Sequence, residues 1–129
     1  MLKEFTVLIV DDDDINRTIL RHMLRLLDVT IEMAENGLVA VNYLNSNPNK
    51  DIIMLLDINM PVMNGYEVIE IVRKNRAAYS GLRTIVLSAN DHSKFKASGL
   101  DGEVYCYLQK PVDNDTLITK IKEASASNI

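Results

Sequence analysis

Leu55-Leu56-Asp57-Ile58-Asn59-Met60-Pro61 constrains the fold more than any other stretch: an apolar run suited to a buried strand stops on a carboxylate and then meets a turn. Two further runs also stop on charge. Val7-Leu8-Ile9-Val10 leads into Asp11-Asp12-Asp13-Asp14, and Tyr107-Leu108-Gln109-Lys110-Pro111 ends on a cation. Three strand ends thus offer acid, acid and base.

Short runs rich in β-branched or aromatic residues predict strands over 5–10, 51–56, 83–87 and 104–108, two of them continuous enough for burial on both faces. The more alternating stretch 29–35 suits a sheet edge. Between the strands, apolar residues recur at helical spacing. Ile15, Ile19, Met23 and Leu26 form one such stripe, with Arg17, Arg21 and Arg25 opposite; Val41 with Leu44, Val68-Ile69 with Val72, and Leu117-Ile118 with Ile121 form others. Asn64-Gly65 and Asp113 mark helix starts, and Asp13 or Asp14 caps the first helix. Five such βα units predict an α/β, doubly wound (βα)5 sandwich: a five-stranded parallel sheet of order 2-1-3-4-5 with helices on both faces. A chain of 129 residues fits one domain, here residues 1–124, with 125–129 as a frayed tail.

In an open α/β sheet, ligands bind beyond the carboxyl ends of the strands, where the strand order reverses. With order 2-1-3-4-5 that point lies between the first and third strands, which deliver Asp11, Asp12 and Asp57 together. Two like charges about 4 Å apart cost roughly 4 kcal/mol at an effective dielectric near 20, so three carboxylates call for a cation or a raised pKa. Oxygen donors without His or Cys favour Mg²⁺ over zinc.

A formal net charge of −4 gives no basic footprint for nucleic acid, and no run approaches the roughly 20 apolar residues of a membrane span. Cys106 is the only cysteine, so no intrachain disulfide forms; it is expected to be buried, in a cytoplasmic protein. His22 and His92 lack metal-ligand spacing and are expected to be surface residues without a role.

Over essentially its whole length the chain resembles the receiver domains of two-component response regulators, the CheY-like superfamily. The resemblance implies that Asp57 accepts a phosphoryl group from a phosphohistidine on a histidine kinase or histidine phosphotransfer protein. It implies Mg²⁺ held by the Asp12 and Asp57 side chains and the Asn59 backbone carbonyl, with Asp11 acting through water. Ser88, in Leu87-Ser88-Ala89, matches the hydroxyl that bonds the phosphoryl oxygen, and Lys110 the cation that pairs with it. Lys110-Pro111 matches the family's cis peptide. Ser88 and Tyr107 fall on switch positions, with Tyr105 a competitor for the aromatic one, and Asn59 and Asn90 on positions that tune phosphoryl lifetime. The output implied is a changed surface of the fourth helix, fifth strand and fifth helix read by a downstream protein. The domain would be a monomer or a weak phosphorylation-dependent dimer, and not an enzyme beyond assisting its own phosphorylation and dephosphorylation. Asp14-Ile15-Asn16-Arg17 is similar to receivers of hybrid kinases.

Taken singly, these residues have plainer readings as turn acids, a strand-end hydroxyl and a solvated lysine; their joint order and spacing carry the assignment. One departure lies between Ser88 and Lys110. Gly99-Leu100-Asp101-Gly102 comes about one helical turn early for the turn before the last strand, which predicts a short fourth helix over about 91–98. Rival classes fit less well. A flavin binder needs a phosphate cradle after the first strand, a dinucleotide enzyme a G-x-G-x-x-G there, and an aspartyl-phosphate hydrolase a second acid where Asn59 stands. A phosphate-independent pseudo-receiver, a protein-binding module of the same fold, is the strongest alternative; Asp11, Asp12, Asp57, Ser88 and Lys110 together argue against it.

Overall fold

The computed structural model describes residues 4–126. Five strands and five helices alternate: β1 Thr6–Val10, α1 Asp14–Met23, β2 Thr30–Ala34, α2 Gly37–Ser46, β3 Ile52–Asp57, α3 Gly65–Lys74, β4 Leu82–Ser88, α4 His92–Ala97, β5 Cys106–Gln109 and α5 Asn114–Ala126. All pairings are parallel, in the expected order β2-β1-β3-β4-β5. Helix α5 runs two residues into the stretch read as tail, and residues 127–129 lie outside the described part.

Strand pleating divides the core in two. Leu8, Val10, Met54, Leu56 and Val86 point to one face, against Ala40, Val41 and Leu44 of α2, Val68 and Ile69 of α3, and Phe95 of α4. Val7, Ile9, Ile53, Leu55, Ile85 and Leu87 point to the other, against Leu20 of α1, Leu24 at its C-cap, and Leu117 and Ile121 of α5. Every residue of β1 and β3 is buried, which is why those runs are apolar without alternation. Each such aliphatic side chain contributes about 1.5–3 kcal/mol by leaving water.

The helix starts follow their caps. Asp13 accepts from the backbone N–H groups of Ile15 and Asn16 at α1, while Asn64 and Glu67 form a reciprocal capping box at α3. Asp113 accepts from Thr116 N–H, 3.2 Å away, at α5.

Four expectations are corrected. Of the stripe read as the apolar face of α1, only Met23 packs against the core; Ile15 is 68% exposed, Ile19 52% and, beyond the helix end, Leu26 81%, while Leu20 and Leu24 are buried. The helix carries two apolar stripes, and the one that faces the sheet is set by the Asp13 cap and the path from β1. Arg17, placed on the solvent face, instead lies against the body, with Nη1 2.6 Å from the Asp11 carbonyl oxygen. Strand β5 starts at Cys106, two residues late, because a 3-10 turn at Asp101–Glu103 takes up the chain before it; Cys106 is half-buried and not fully buried. Helix α4 is short, as expected, and ends where Gly99 takes φ +81°.

Candidate functional site

Strand register brings the predicted residues to one end of the sheet. Val10 pairs with Leu56, so Asp11 and Asp57 emerge side by side from β1 and β3. Asp57 pairs with Leu87, Ser88 follows on β4, and Ser88 pairs with Gln109 immediately before Lys110. The Lys110 N–H donates to the Ser88 carbonyl at 2.7 Å, extending the ladder to the site. The Lys110–Pro111 peptide is cis.

Oxygen atoms of Asp11, Asp12 and Asp57 all lie within 4.8 Å of one another. Asp11 is 2% exposed, and its carboxylate accepts the Asp13 N–H at 2.9 Å. Asp12 is exposed. Asp57 is buried, at 9% exposed, and accepts the Asn59 N–H at 3.4 Å. Lys110 Nζ is 3.3 Å from Asp11 Oδ2 and 3.8 Å from Asp57 Oδ1. Burial pushes Asp57 above the usual carboxylate range; Lys110 pulls against that push, while the charges of Asp11 and, less strongly, Asp12 add to it. A carboxyl so placed favours a cation nearby, and an all-oxygen donor set fits Mg²⁺.

The loop from β3 to α3 is tightly built. Gly65 donates its N–H to the Ile58 carbonyl at 2.9 Å, and a Cβ there would come within 2.7 Å of the Asp57 carbonyl oxygen. The bend between is closed by Met63 N–H donating to the Pro61 carbonyl, with Val62 at φ 70°, a backbone region that β-branched residues rarely enter.

Ser88 is 1% exposed, and its hydroxyl oxygen accepts the Asn90 N–H at 3.2 Å. The Tyr107 hydroxyl donates to the Asn90 carbonyl at 2.6 Å, with the Asp91 carbonyl at 3.2 Å. The loop after β4 therefore connects the Ser88 hydroxyl to the Tyr107 ring. Tyr107 packs with the core under α2, α3 and α4, and Tyr105 with the opposite core, so the two tyrosines are not equivalent.

Sequence reasoning missed two participants. Arg17 ties α1 to the Asp11 backbone, six residues away, with no spacing signal to announce it. His92 is not idle: its ring lies on that of Tyr107, with centroids 4.6 Å apart and planes 5° apart, and its Nε2 pairs with Asp101.

With this geometry in place, comparison with known proteins defines the class. The chain belongs to the response regulator receiver domain family, whose model matches residues 7–122. It is thus a receiver domain of two-component signalling. It is similar to hybrid signal transduction histidine kinase E of Dictyostelium discoideum, with 36% identity over 87% of this chain and 6% of the kinase. It is also similar to response regulator MprA of Mycobacterium sp. (strain KMS), with 32% identity over 90% of this chain and 48% of the regulator. The chain spans about half the length, or far less, of these curated relatives. Among solved structures, a CheY-like receiver domain from Methanospirillum hungatei JF-1 superposes with TM-score 0.79 at 30% identity, covering 94% of each chain. The Thermotoga maritima response regulator TrrA, solved with Mg²⁺ and BeF, does so with TM-score 0.79 at 30% identity over 92% of this chain and 97% of its own. No helix among the described residues is long and apolar enough to cross a membrane.

Proposed function

We propose that this domain accepts a phosphoryl group on Asp57 from a phosphohistidine of a histidine kinase or histidine phosphotransfer protein. The observation that carries this reading is the convergence of Asp11, Asp12, Asp57 and Lys110 at one sheet end. Asp12, Asp57 and the Asn59 carbonyl would hold Mg²⁺, with Asp11 one water removed. When bound, the ion neutralises charge on the phosphoryl oxygens and on the carboxylates.

A carboxylate oxygen of Asp57 attacks phosphorus in line. The O–P bond forms as the P–N bond to the donor imidazole breaks, and the electron pair stays on the imidazole nitrogen, which then takes a proton. Lys110 Nζ, already beside Asp57, compensates an equatorial oxygen, and the Ser88 hydroxyl turns to donate to another. Asn59, whose backbone N–H meets Asp57, and Asn90, whose backbone N–H meets Ser88, would tune the lifetime of the acyl phosphate.

If Ser88 is drawn to the phosphoryl group, it gives up the Asn90 N–H. The loop then shifts and Tyr107 loses its carbonyl acceptors, so charge at Asp57 biases a two-state loop and ring. The altered surface of α4, β5 and α5 is read by a downstream protein. The domain works in the cytoplasm, without binding nucleic acid or membrane itself, as a monomer or a weak phosphorylation-dependent dimer. Its only catalysis is of its own phosphorylation and dephosphorylation. The direct test is transfer from a phosphorylated histidine phosphotransfer protein: label should move to wild type and not to Asp57→Asn, and labelling of both would overturn the assignment.

A further inference from the structure

The strongest feature outside the acidic site is built on the shortened α4. Gly99 stops that helix after six residues, Leu100 turns into the core at 6% exposed, and the Asp101–Glu103 turn carries Asp101 back to His92. His92 lies flat on one part of an aromatic row. Its ring stacks on Tyr107, Phe95 approaches Tyr107 at 5.2 Å and 36°, and Tyr66 stacks on Phe95 at 5.9 Å and 26°. Tyr107 is thus confined by two rings while its hydroxyl is fixed by two carbonyls.

A ring stacked on one neighbour holds position only as well as that neighbour does. The two side chains of the His92–Asp101 pair are each about 40% exposed, and Asp101 comes from the turn beyond the helix end, not from α4 itself. Asp101 thereby fixes the imidazole against rotation about its side-chain bonds, and the fixed imidazole closes one side of the Tyr107 site. This contact depends on the early stop at Gly99, which returns the chain to the start of the helix.

We propose that the His92–Asp101 pair is a latch that positions Tyr107 and opposes its movement on phosphorylation. His92 and Asp101 are positioning residues: they touch no reacting atom, and they set how much of the phosphoryl group's effect at Ser88 is needed to release the ring. The latch rests on the reading of Tyr107 as the switch, and it adds a residue pair that makes the switch of this domain harder to trip.

The test uses the whole chain and the NMR ring resonances of Tyr107. Asp101→Ala should move or broaden them in the unphosphorylated protein, although Asp101 acts on Tyr107 only through His92. Asp101→Glu should restore the wild-type position. In the presence of Mg²⁺, Asp101→Ala should reach half-conversion at about threefold lower beryllofluoride, the size expected for a partly exposed pair. A Tyr107 resonance unchanged in Asp101→Ala, or an unchanged beryllofluoride midpoint, would overturn the latch. Absence of any beryllofluoride response in wild type would count against the phosphoacceptor reading instead, and the Tyr107 resonance would still decide the positioning claim.

Discussion

Lys110 lies closer to Asp11 than to Asp57, 3.3 Å against 3.8 Å. In this state the ammonium therefore compensates first the deeper of the two carboxylates, whose side chain is 2% exposed, and only secondarily Asp57, the proposed phosphoacceptor. Removing a charge from such a pair strands its partner in a poorly solvated place.

Lys110→Met is accordingly predicted to lower stability by about 2 kcal/mol without Mg²⁺, between the values for exposed and buried pairs. The loss should shrink when Mg²⁺ is added, because the ion supplies the missing positive charge. Urea unfolding with and without Mg²⁺ measures this, and an equal loss in both conditions would show that Lys110 does not share the carboxylates with the ion.

Asp57 gives a pH prediction of definite sign. Its folded pKa is raised, chiefly by burial, so the ionised form is penalised in the folded state and the neutral form is not. Below the carboxyl's ordinary value of 3.8 the group is neutral in both states and costs nothing; as pH rises through the higher folded value, wild type loses that stability. Metal-free Asp57→Asn should therefore be more stable than wild type at neutral pH, with the gap closing below about pH 3.8. Thermal unfolding across that range checks it; a gap that widened toward acid would contradict the stated cause.

Gly65 holds the strand end at Asp57 by having no side chain. A methyl group there meets backbone atoms, 2.7 Å from the Asp57 carbonyl oxygen and 2.8 Å from Ile58 Cα, so the neighbours cannot rotate away. Gly65→Ala is predicted to destabilise by about 1–3 kcal/mol and to slow phosphorylation beyond what the lost folded fraction explains. Rates measured at a temperature where the variant is fully folded separate the two effects.

The outward stripe of α1 and its buried stripe should respond very differently. Ile19→Ser is expected to change stability by no more than about 0.5 kcal/mol, whereas Leu20→Ala should cost about 2–5 kcal/mol. Chemical denaturation of the two variants decides which face meets the sheet.

That helix marks one limit of sequence reading here. Periodicity identifies a helix from 14 onward, yet Ile15-Ile19 and Leu20-Leu24 both have helical spacing, and choosing between them requires the position of the helix on the sheet. The strands were legible because β1 and β3 are buried on both faces and their apolar runs end on charge. The gathering of Asp11, Asp57, Ser88 and Lys110 was legible for a related reason: in a parallel sheet of this order, strand ends are neighbours. The contacts of Arg17 and His92 were not. They depend on where a short helix ends and how the chain returns, and no local pattern of residue types encodes the partner.

Phosphorylation of Asp57 is tested most directly by intact mass. The protein is incubated with Mg²⁺ and acetyl phosphate, beside Asp57→Asn and a chelator control. The prediction is a gain of one phosphoryl group that requires Mg²⁺ and is absent in Asp57→Asn. A folded, Mg²⁺-binding wild type that gains no phosphoryl group either here or from a phosphorylated histidine phosphotransfer protein would contradict it and favour a phosphate-independent binding module.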